Sequence, residues 1–286
     1  MVVEVGRHGA FAVNRTGLGG APFPLSFSAC EASGSWMVDA AAAQATELAD
    51  VLMRAAGDTI VVVDLATSSF MDEDYVQWRP SRIAAEQGVS CQAHLLGALA
   101  SGVAGLSEEA LAMRRDDLPR FLAGWSAYEL TLVDMPGRPT PGRLDEIALA
   151  IGTAAHGRPV LPGLAGSRLR YSGHDDCYLA VESADRAVPV ALLSRLLALL
   201  AGSALAGASP VEVPDPASAT VTSLIEDGAH WVGVLGAVSE NMVTVSLSAT
   251  AVPWRLGQRL PERVDRIARY DVRQRLWQLT TAPGQG

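Results

Sequence analysis

Apolar and polar positions in residues 39–56 recur with the period of an α-helix. Polar side chains fall every three or four residues, opposite a stripe of Ala and Leu. This pattern predicts an amphipathic helix that Asp39 caps at its start and Gly57 ends. Residues 60–63 follow as a continuous β-branched run, which is typical of a strand covered on both faces. A helix followed by a buried strand predicts an α/β protein with a layered sheet.

An uncharged stretch over residues 88–107 comes next, and its length would suffice to cross a bilayer. It also holds Gln92, His94 and four glycines, and no cluster of positive charge flanks it. We therefore predict a buried central helix here and no membrane span. Other periodic segments predict helices over 80–87, 145–155 and 189–201 and strands over 130–133 and 178–181.

A change of pattern near residue 208 suggests a domain boundary. Residues 208–218 contain Pro210, Pro214 and Pro216 and predict a linker between an α/β domain over 1–207 and a smaller β-rich or α+β region over 219–286. In the second region, strands over 231–238 and 242–247 form a predicted hairpin. The tail over 254–279 fits either a second hairpin or a helix.

Composition removes several classes of function. All 22 basic residues are Arg, which excludes a Lys Schiff base, a phosphate-loop Lys and a Lys general base. The net charge of −9 argues against wholesale nucleic-acid binding. The three cysteines include no CxxC pair, so we predict neither a zinc site nor a disulfide framework, and no cofactor. The first residues lack the apolar core of a signal peptide, which favours a cytoplasmic location.

The densest polar cluster of the chain lies at residues 172–178. In a strand, His174 and Asp176 would share one face, and a His beside a carboxylate can act as a tuned base or a metal ligand. These residues are candidates for a His/Asp-dependent hydrolase or a metal enzyme. A short acidic turn entering a strand explains the same residues without any function.

Cys91 lies near the start of the uncharged stretch and is a second candidate. A Cys at a helix N-terminus has a lowered pKa and can act as a nucleophile. The alternative is that Cys91 is a small buried hydrophobe.

Basic residues crowd into the C-terminal region, where residues 255–275 hold seven Arg against three acidic residues. Arg263, Arg266 and Arg269 are the candidates for a basic face that docks an acidic protein partner. An ordinary solvated surface is the alternative interpretation.

The order of elements in the N-terminal third is familiar. A strand and Gly-rich turn over 2–20 precede a helix and an Asp-Thr-Ile-Val-Val-Val strand over 46–63, then a loop and helix over 79–88, and then the uncharged stretch. This layout resembles the opening of the thiolase-like superfamily, the thiolases and β-ketoacyl synthases.

The resemblance implies a nucleophilic Cys in the buried helix, at the position where this sequence has Ala100, with Cys91 as an earlier thiol. His156, within Ala155-His156-Gly157, resembles the His-Gly motif of ketosynthases. A degenerate relative is implied, one that binds an acyl thioester or an acyl carrier protein in acyl or polyketide metabolism, with catalysis left open. The competing hypotheses are an accessory or immunity-type interaction factor and the His174/Asp176 enzyme. Self-association is also left open.

Overall fold

Strands dominate the computed structural model of the chain, which describes residues 5–8, 11–14, 25–41, 45–64, 79–97, 108–125, 129–154, 158–174, 178–205, 211–255 and 258–283. The strands are β1 (Val5–His8), β2 (Phe11–Asn14), β3 (Leu25–Ala32), β4 (Ser35–Ala41), β5 (Thr59–Asp64), β6 (Cys91–Gly97), β7 (Glu108–Arg114), β8 (Glu129–Met135), β9 (Leu169–His174), β10 (Tyr178–Ser183), β11 (His230–Ser239), β12 (Met242–Thr250), β13 (Arg266–Asp271) and β14 (Leu276–Thr281).

Twelve of these strands form one sheet in the described part of the chain. Its order is β14-β13-β12-β11-β3-β4-β10-β9-β8-β5-β7-β6. Every neighbouring pair is antiparallel, and β1 and β2 form a separate antiparallel hairpin. The predicted combination of helices with a large sheet is therefore confirmed at the level of a mixed α/β protein.

Most helices pack on one face of this sheet. The helices are α1 (Ala45–Ala55), α2 (Pro80–Glu86), α3 (Leu118–Gly124), α4 (Pro141–Gly152), α5 (Ala187–Leu205) and α6 (Ser218–Glu226). All except α4 contribute to the main core, where inward-facing strand residues such as Phe27, Val62 and Tyr171 meet them. Alternate residues of a strand point to opposite faces, so we call this side the helix-covered face.

The opposite face of the sheet is covered in two places. α4 packs on Val61, Val63 and Val133 near one end. Trp254, in the connection between β12 and β13, packs on Ala41 and Val232 nearer the other end. Elsewhere on this side, Cys30 of β3 and Asp39 of β4 are exposed, and we call this side the open face.

α5 is apolar almost all round and lies in the core. It confirms the helix predicted over 189–201, and its inward residues such as Leu192, Leu193 and Leu196 are fully buried. Among the described residues it is the helix long and apolar enough to cross a membrane, but 72% of that apolar window is buried inside the protein. Such burial is compatible with a core helix of a soluble protein.

The helix predicted over residues 88–107 is wrong where the structure describes it. Cys91–Gly97 is β6, an edge strand that pairs with β7, whereas 98–107 lie outside the described residues. An uncharged sequence fits a buried helix and a buried strand equally well. Here the backbone hydrogen bonds to β7 stabilise the strand. Asp39 is a second correction, since it lies within β4 and α1 begins only at Ala45.

The buried strand predicted over 60–63 is confirmed as β5, whose residues reach both cores. Helices over 80–87 and 145–155 and strands over 130–133 and 178–181 are confirmed within a few residues. The hairpin of β11 and β12 is confirmed, and the tail is a second hairpin of β13 and β14. Because β11 also pairs with β3, strands on either side of the predicted 208–218 linker belong to one sheet.

Candidate interaction surface

The His174 and Asp176 pair is only partly visible in the structure. His174 is the last residue of β9, where its backbone pairs with Glu129 of β8. Asp176 and Cys177 lie outside the described residues. Among the His, Cys, Asp and Glu side chains that are described, no group of three or more could hold a metal ion.

Cys91 is a strand residue and does not begin a helix. It packs partly buried against the main core. Burial raises the pKa of its thiol, and the nearby Glu109 carboxylate raises that pKa further. Both effects favour the neutral thiol, which is the opposite of the lowered pKa predicted for a helix N-terminus. His156 and Ala100 lie outside the described residues.

A Ser–His contact that the sequence did not suggest lies on the open face. The imidazole Nδ1 of His230 is 2.7 Å from Ser28 Oγ. Ser28 lies between His230 on β11 and Asp39 on β4, its directly paired residue. The backbones of Asp39 and His230 are therefore two strand spacings, roughly 10 Å, apart, with Ser28 between them. In a catalytic triad the acid bonds the His directly and the Ser lies beyond it, so this order of residues is not that of a triad. Ser28 itself is buried.

Asp39 instead influences a neighbouring thiol. Partial burial raises the pKa of Cys30, and the Asp39 carboxylate raises it further. As with Cys91, the thiolate is disfavoured.

A buried carboxylate on β10 holds a loop to the sheet by hydrogen bonds. Glu182, 1% exposed, accepts hydrogen bonds from the backbone N–H groups of Val160 at 2.7 Å and Leu161 at 2.9 Å. Arg170, its directly paired residue on β9, has a pKa lowered by burial, which the charges of Glu182 and Asp39 partly offset. These hydrogen bonds hold the loop to the sheet, so a structural role explains why the Glu182 carboxylate is buried.

The three predicted partner-binding arginines do not form one surface. Arg266 lies on the same side of β13 as the buried Ala268 and Tyr270, donates to Thr281 Oγ1 at 2.7 Å and reaches Asp227 at 3.5 Å. Arg263 forms an ion pair with Asp265 at 2.8 Å. Arg269 points to the open face and is exposed. Residues at an odd spacing within a strand point to opposite faces, so Arg266 and Arg269 do not share a face of β13. Docking of a partner by these three arginines stays a prediction.

The structure supplies a different set of exposed cations on the same hairpin. Arg273 and Arg275 lie in the turn between β13 and β14, both exposed, with Arg275 in the left-handed region at φ 53°. Together with Arg269 they form what we call the basic hairpin set. The strict alternation of the β13 sequence could have separated Arg269 from Arg266 in advance, had the tail been assigned as strand.

The hairpin that carries this set is firmly anchored from its inner side. The rings of Tyr270 and Trp277 pack against each other with centroids 5.2 Å apart. Trp277 Nε1 donates to the Pro214 carbonyl oxygen at 2.7 Å. The hairpin is therefore held at the sheet margin through its inner face, while Arg269, Arg273 and Arg275 are exposed.

No family model, curated protein or solved structure matches this chain. The thiolase-like resemblance therefore stays a prediction, and a functional conclusion has to come from the surface of the protein.

Proposed function

We propose that the chain is a protein-interaction factor that docks an acidic partner through the β13–β14 hairpin. The observation that carries the proposal is the basic hairpin set, Arg269, Arg273 and Arg275, exposed on an anchored hairpin of a chain with net charge −9. Local positive charge in an acidic protein steers and orients an acidic partner.

The arrangement of ion pairs favours these three arginines over their neighbours. Arg259 pairs with Glu262 and Arg263 with Asp265, so part of their charge is already compensated. Arg266 of the hairpin reaches Asp227 at 3.5 Å, which leaves Arg269, Arg273 and Arg275 with Asp271 as the acidic residue of the hairpin. The Oδ1 atom of Asp271 already accepts the Gln274 backbone N–H in the turn. A partner carboxylate therefore meets less competition at the hairpin than at Arg259 or Arg263.

The chemistry of the other candidates supports a binding role over a catalytic one. Cys30 and Cys91 have raised thiol pKa values, which disfavours acyl transfer to either thiol at neutral pH. Binding of acyl thioesters or carrier proteins stays a prediction of the thiolase-like resemblance, testable by mass measurement after incubation with an acyl thioester.

The proposal is tested with an acidic peptide and charge reversal. Fluorescence anisotropy measures the Kd of a fluorescein-labelled peptide of about nine residues that alternates Glu with Val or Thr. An exposed ion pair contributes about 0.2–1 kcal/mol. Reversing all three arginines to Glu should weaken binding at least about tenfold, since a loss of about 1.4 kcal/mol is tenfold in Kd.

A matched triple variant controls for net charge. Arg54→Glu, Arg82→Glu and Arg120→Glu change the charge equally on exposed helical sites of α1, α2 and α3. We expect this control to bind the peptide within about twofold of the natural chain, since its changes lie away from the hairpin. Equal loss in both triple variants, or no binding of the acidic peptide by the natural chain, would overturn the proposal.

A further inference from the structure

The last strand of the sheet has an edge with no described partner. β14 pairs with β13 on one side, and within the described residues no strand lies on its other side. The backbone N–H of Ala282 donates to the Asp265 carbonyl oxygen at 3.0 Å, which sets the phase of this ladder. Because hydrogen-bonded and non-hydrogen-bonded pairs alternate, the N–H and C=O groups of Trp277, Leu279 and Thr281 point away from β13.

β14 lacks the features that normally block an open edge. Its sequence, Leu-Trp-Gln-Leu-Thr-Thr, contains no charged residue and no Pro, and Leu276 is 50% exposed. Charges, prolines and bulges are the usual protection against strand pairing.

The other edge of the sheet differs in this respect. β6 has an irregularity in its register between Leu95 and Gly97. Side chains also tie it to the sheet surface, since His94 Nε2 lies 2.9 Å from Asp145 Oδ1 and Arg138 Nε donates to Gln92 Oε1 at 2.7 Å. A bulge twists an edge away from an incoming strand, so β14 is the better edge for pairing.

We infer that the outer edge of β14 accepts an extended acidic segment of a partner protein as an added strand. The acidic character of the partner rests on the proposed function, and the new element is the mode of binding, addition of a strand to the β14 edge. Main-chain hydrogen bonds supply affinity in this mode, and side chains on the added strand supply specificity.

The basic hairpin set is placed to recognise such a segment. Arg275 directly precedes β14, and Arg273 lies in the same turn, so both flank one end of the added strand. Arg269 is the directly paired residue of Gln278, so it stands two strand spacings, roughly 10 Å, from the added strand on the open face. Acidic side chains at the turn end of the segment would lie beside Arg275 and Arg273, and Arg269 would add a longer-range attraction across β14. Leu276 offers an apolar contact at the same end.

Amide hydrogen exchange tests the mode of binding with the alternating Glu peptide described above. We expect saturating peptide to slow exchange at Trp277, Leu279 and Thr281 by about tenfold or more, because their N–H groups gain partners. Gln278 and Thr280 already bond to β13 and should change much less, and the amides of β6 should not change. Unaltered exchange at all three outward amides, with the peptide bound, would overturn the inference.

A pair of variants at one position isolates the backbone contribution. Leu279→Pro removes an outward N–H that β13 does not use, whereas Leu279→Ala removes the side chain and keeps the N–H. We expect peptide binding to weaken at least about fivefold more in the Pro variant than in the Ala variant. Equal affinities would count against strand addition, and the exchange experiment decides independently if the Pro variant does not fold.

The two proposals fail in different ways. If reversal of the three arginines abolishes peptide binding but the outward amides are not protected, the proposal of an acidic partner stands and the inference of strand addition is wrong. Absence of peptide binding would remove both. Sedimentation measures whether the natural chain forms a dimer. A dimer that dissociates in the Leu279→Pro variant would assign the β14 edge to a second copy of the chain and overturn the inference.

Discussion

Asp134 is the side chain whose removal should damage the fold most clearly. It lies at 1% exposure in β8 and accepts three backbone N–H groups, from Gly57 at 2.7 Å to Oδ2 and from Arg168 at 2.6 Å and Leu169 at 2.7 Å to Oδ1. One carboxylate on β8 therefore joins Gly57, two residues beyond the end of α1, to the entry of β9.

The cost of losing this carboxylate follows from the count of orphaned donors. A fully buried backbone N–H left without a partner costs about 1–3 kcal/mol, so three of them would cost about 3–9 kcal/mol. Because the bonds from Gly57 and Arg168 are only partly buried, we expect Asp134→Ala to lower the free energy of unfolding by the lower part of that range, roughly 3–6 kcal/mol. Asp134→Asn keeps the Oδ1 acceptor but turns an N–H₂ group toward Gly57, so its loss should be smaller, about 2–3 kcal/mol. In a chain of this size these losses lower Tm by roughly 2–4 °C per kcal/mol.

Urea unfolding followed by circular dichroism measures the effect, with Asp116→Ala as the matched control. The Asp116 side chain is 78% exposed and contacts only Arg115 among the described pairs, so its loss should stay within about 0.5 kcal/mol. If Asp134→Ala unfolds within about 1 kcal/mol of the Asp116 variant, the proposed role of the three hydrogen bonds is wrong.

Two groups of the protein, the Cys30 thiol and the Asp215 carboxyl, have pKa values raised by burial. In a chain with Cys91 and Cys177 changed to Ser, iodoacetamide should alkylate Cys30 with a half-maximal rate at higher pH than a free thiol, since burial and then Asp39 raise its pKa. Asp39→Asn should move that midpoint downward, and an unmoved midpoint would exclude the carboxylate as a cause. Burial raises the pKa of Asp215, which Arg195 partly counters through a contact of 3.0 Å. A carboxyl whose pKa is higher in the folded than in the unfolded chain makes the fold more stable as pH falls through that pKa. Arg195→Met removes the cation that counters the rise in the pKa of Asp215, so the variant should lose more stability at pH 7 than at pH 4. A constant stability difference between the variant and the natural chain across that range would contradict this.

Local pattern was sufficient for several elements of the fold. Residues 60–63 were predicted as a strand covered on both faces, because a short β-branched run without polar positions is typical of such a strand. The hairpin of β11 and β12 followed from two alternating runs around a polar turn. In each case neighbouring residues carry the information.

Features that depend on distant residues were beyond the same reasoning. Residues 91–97 became a strand through hydrogen bonds to β7, which the sequence of 88–107 does not contain. Gly57 was expected to end a helix, yet its requirement is close approach, since an added Cβ would lie 2.6 Å from the Met135 carbonyl oxygen. Asp134 gave no local signal at all, because its partners are 77 and 34 residues away.

The basic hairpin set also depends partly on neighbouring residues and partly on distant ones. Local charge marks the tail as the basic region, but which of its arginines share a face depends on the strand register. Arg266 turns inward toward Asp227, a residue 39 positions earlier, whereas Arg269 turns outward. Charge density along the chain therefore indicated a region, and the alternation of β13 was needed to tell the exposed Arg269 from the inward Arg266.

A charge-swap measurement tests the central claim most directly. It compares the affinity of the Glu peptide with that of an otherwise identical peptide carrying Arg at each Glu position, for the natural chain and for the triple variant at Arg269, Arg273 and Arg275. The account predicts that the natural chain prefers the Glu peptide and that the triple variant prefers the Arg peptide by about tenfold or more. An unchanged preference in the variant would place the binding of acidic partners elsewhere on the molecule and contradict the account.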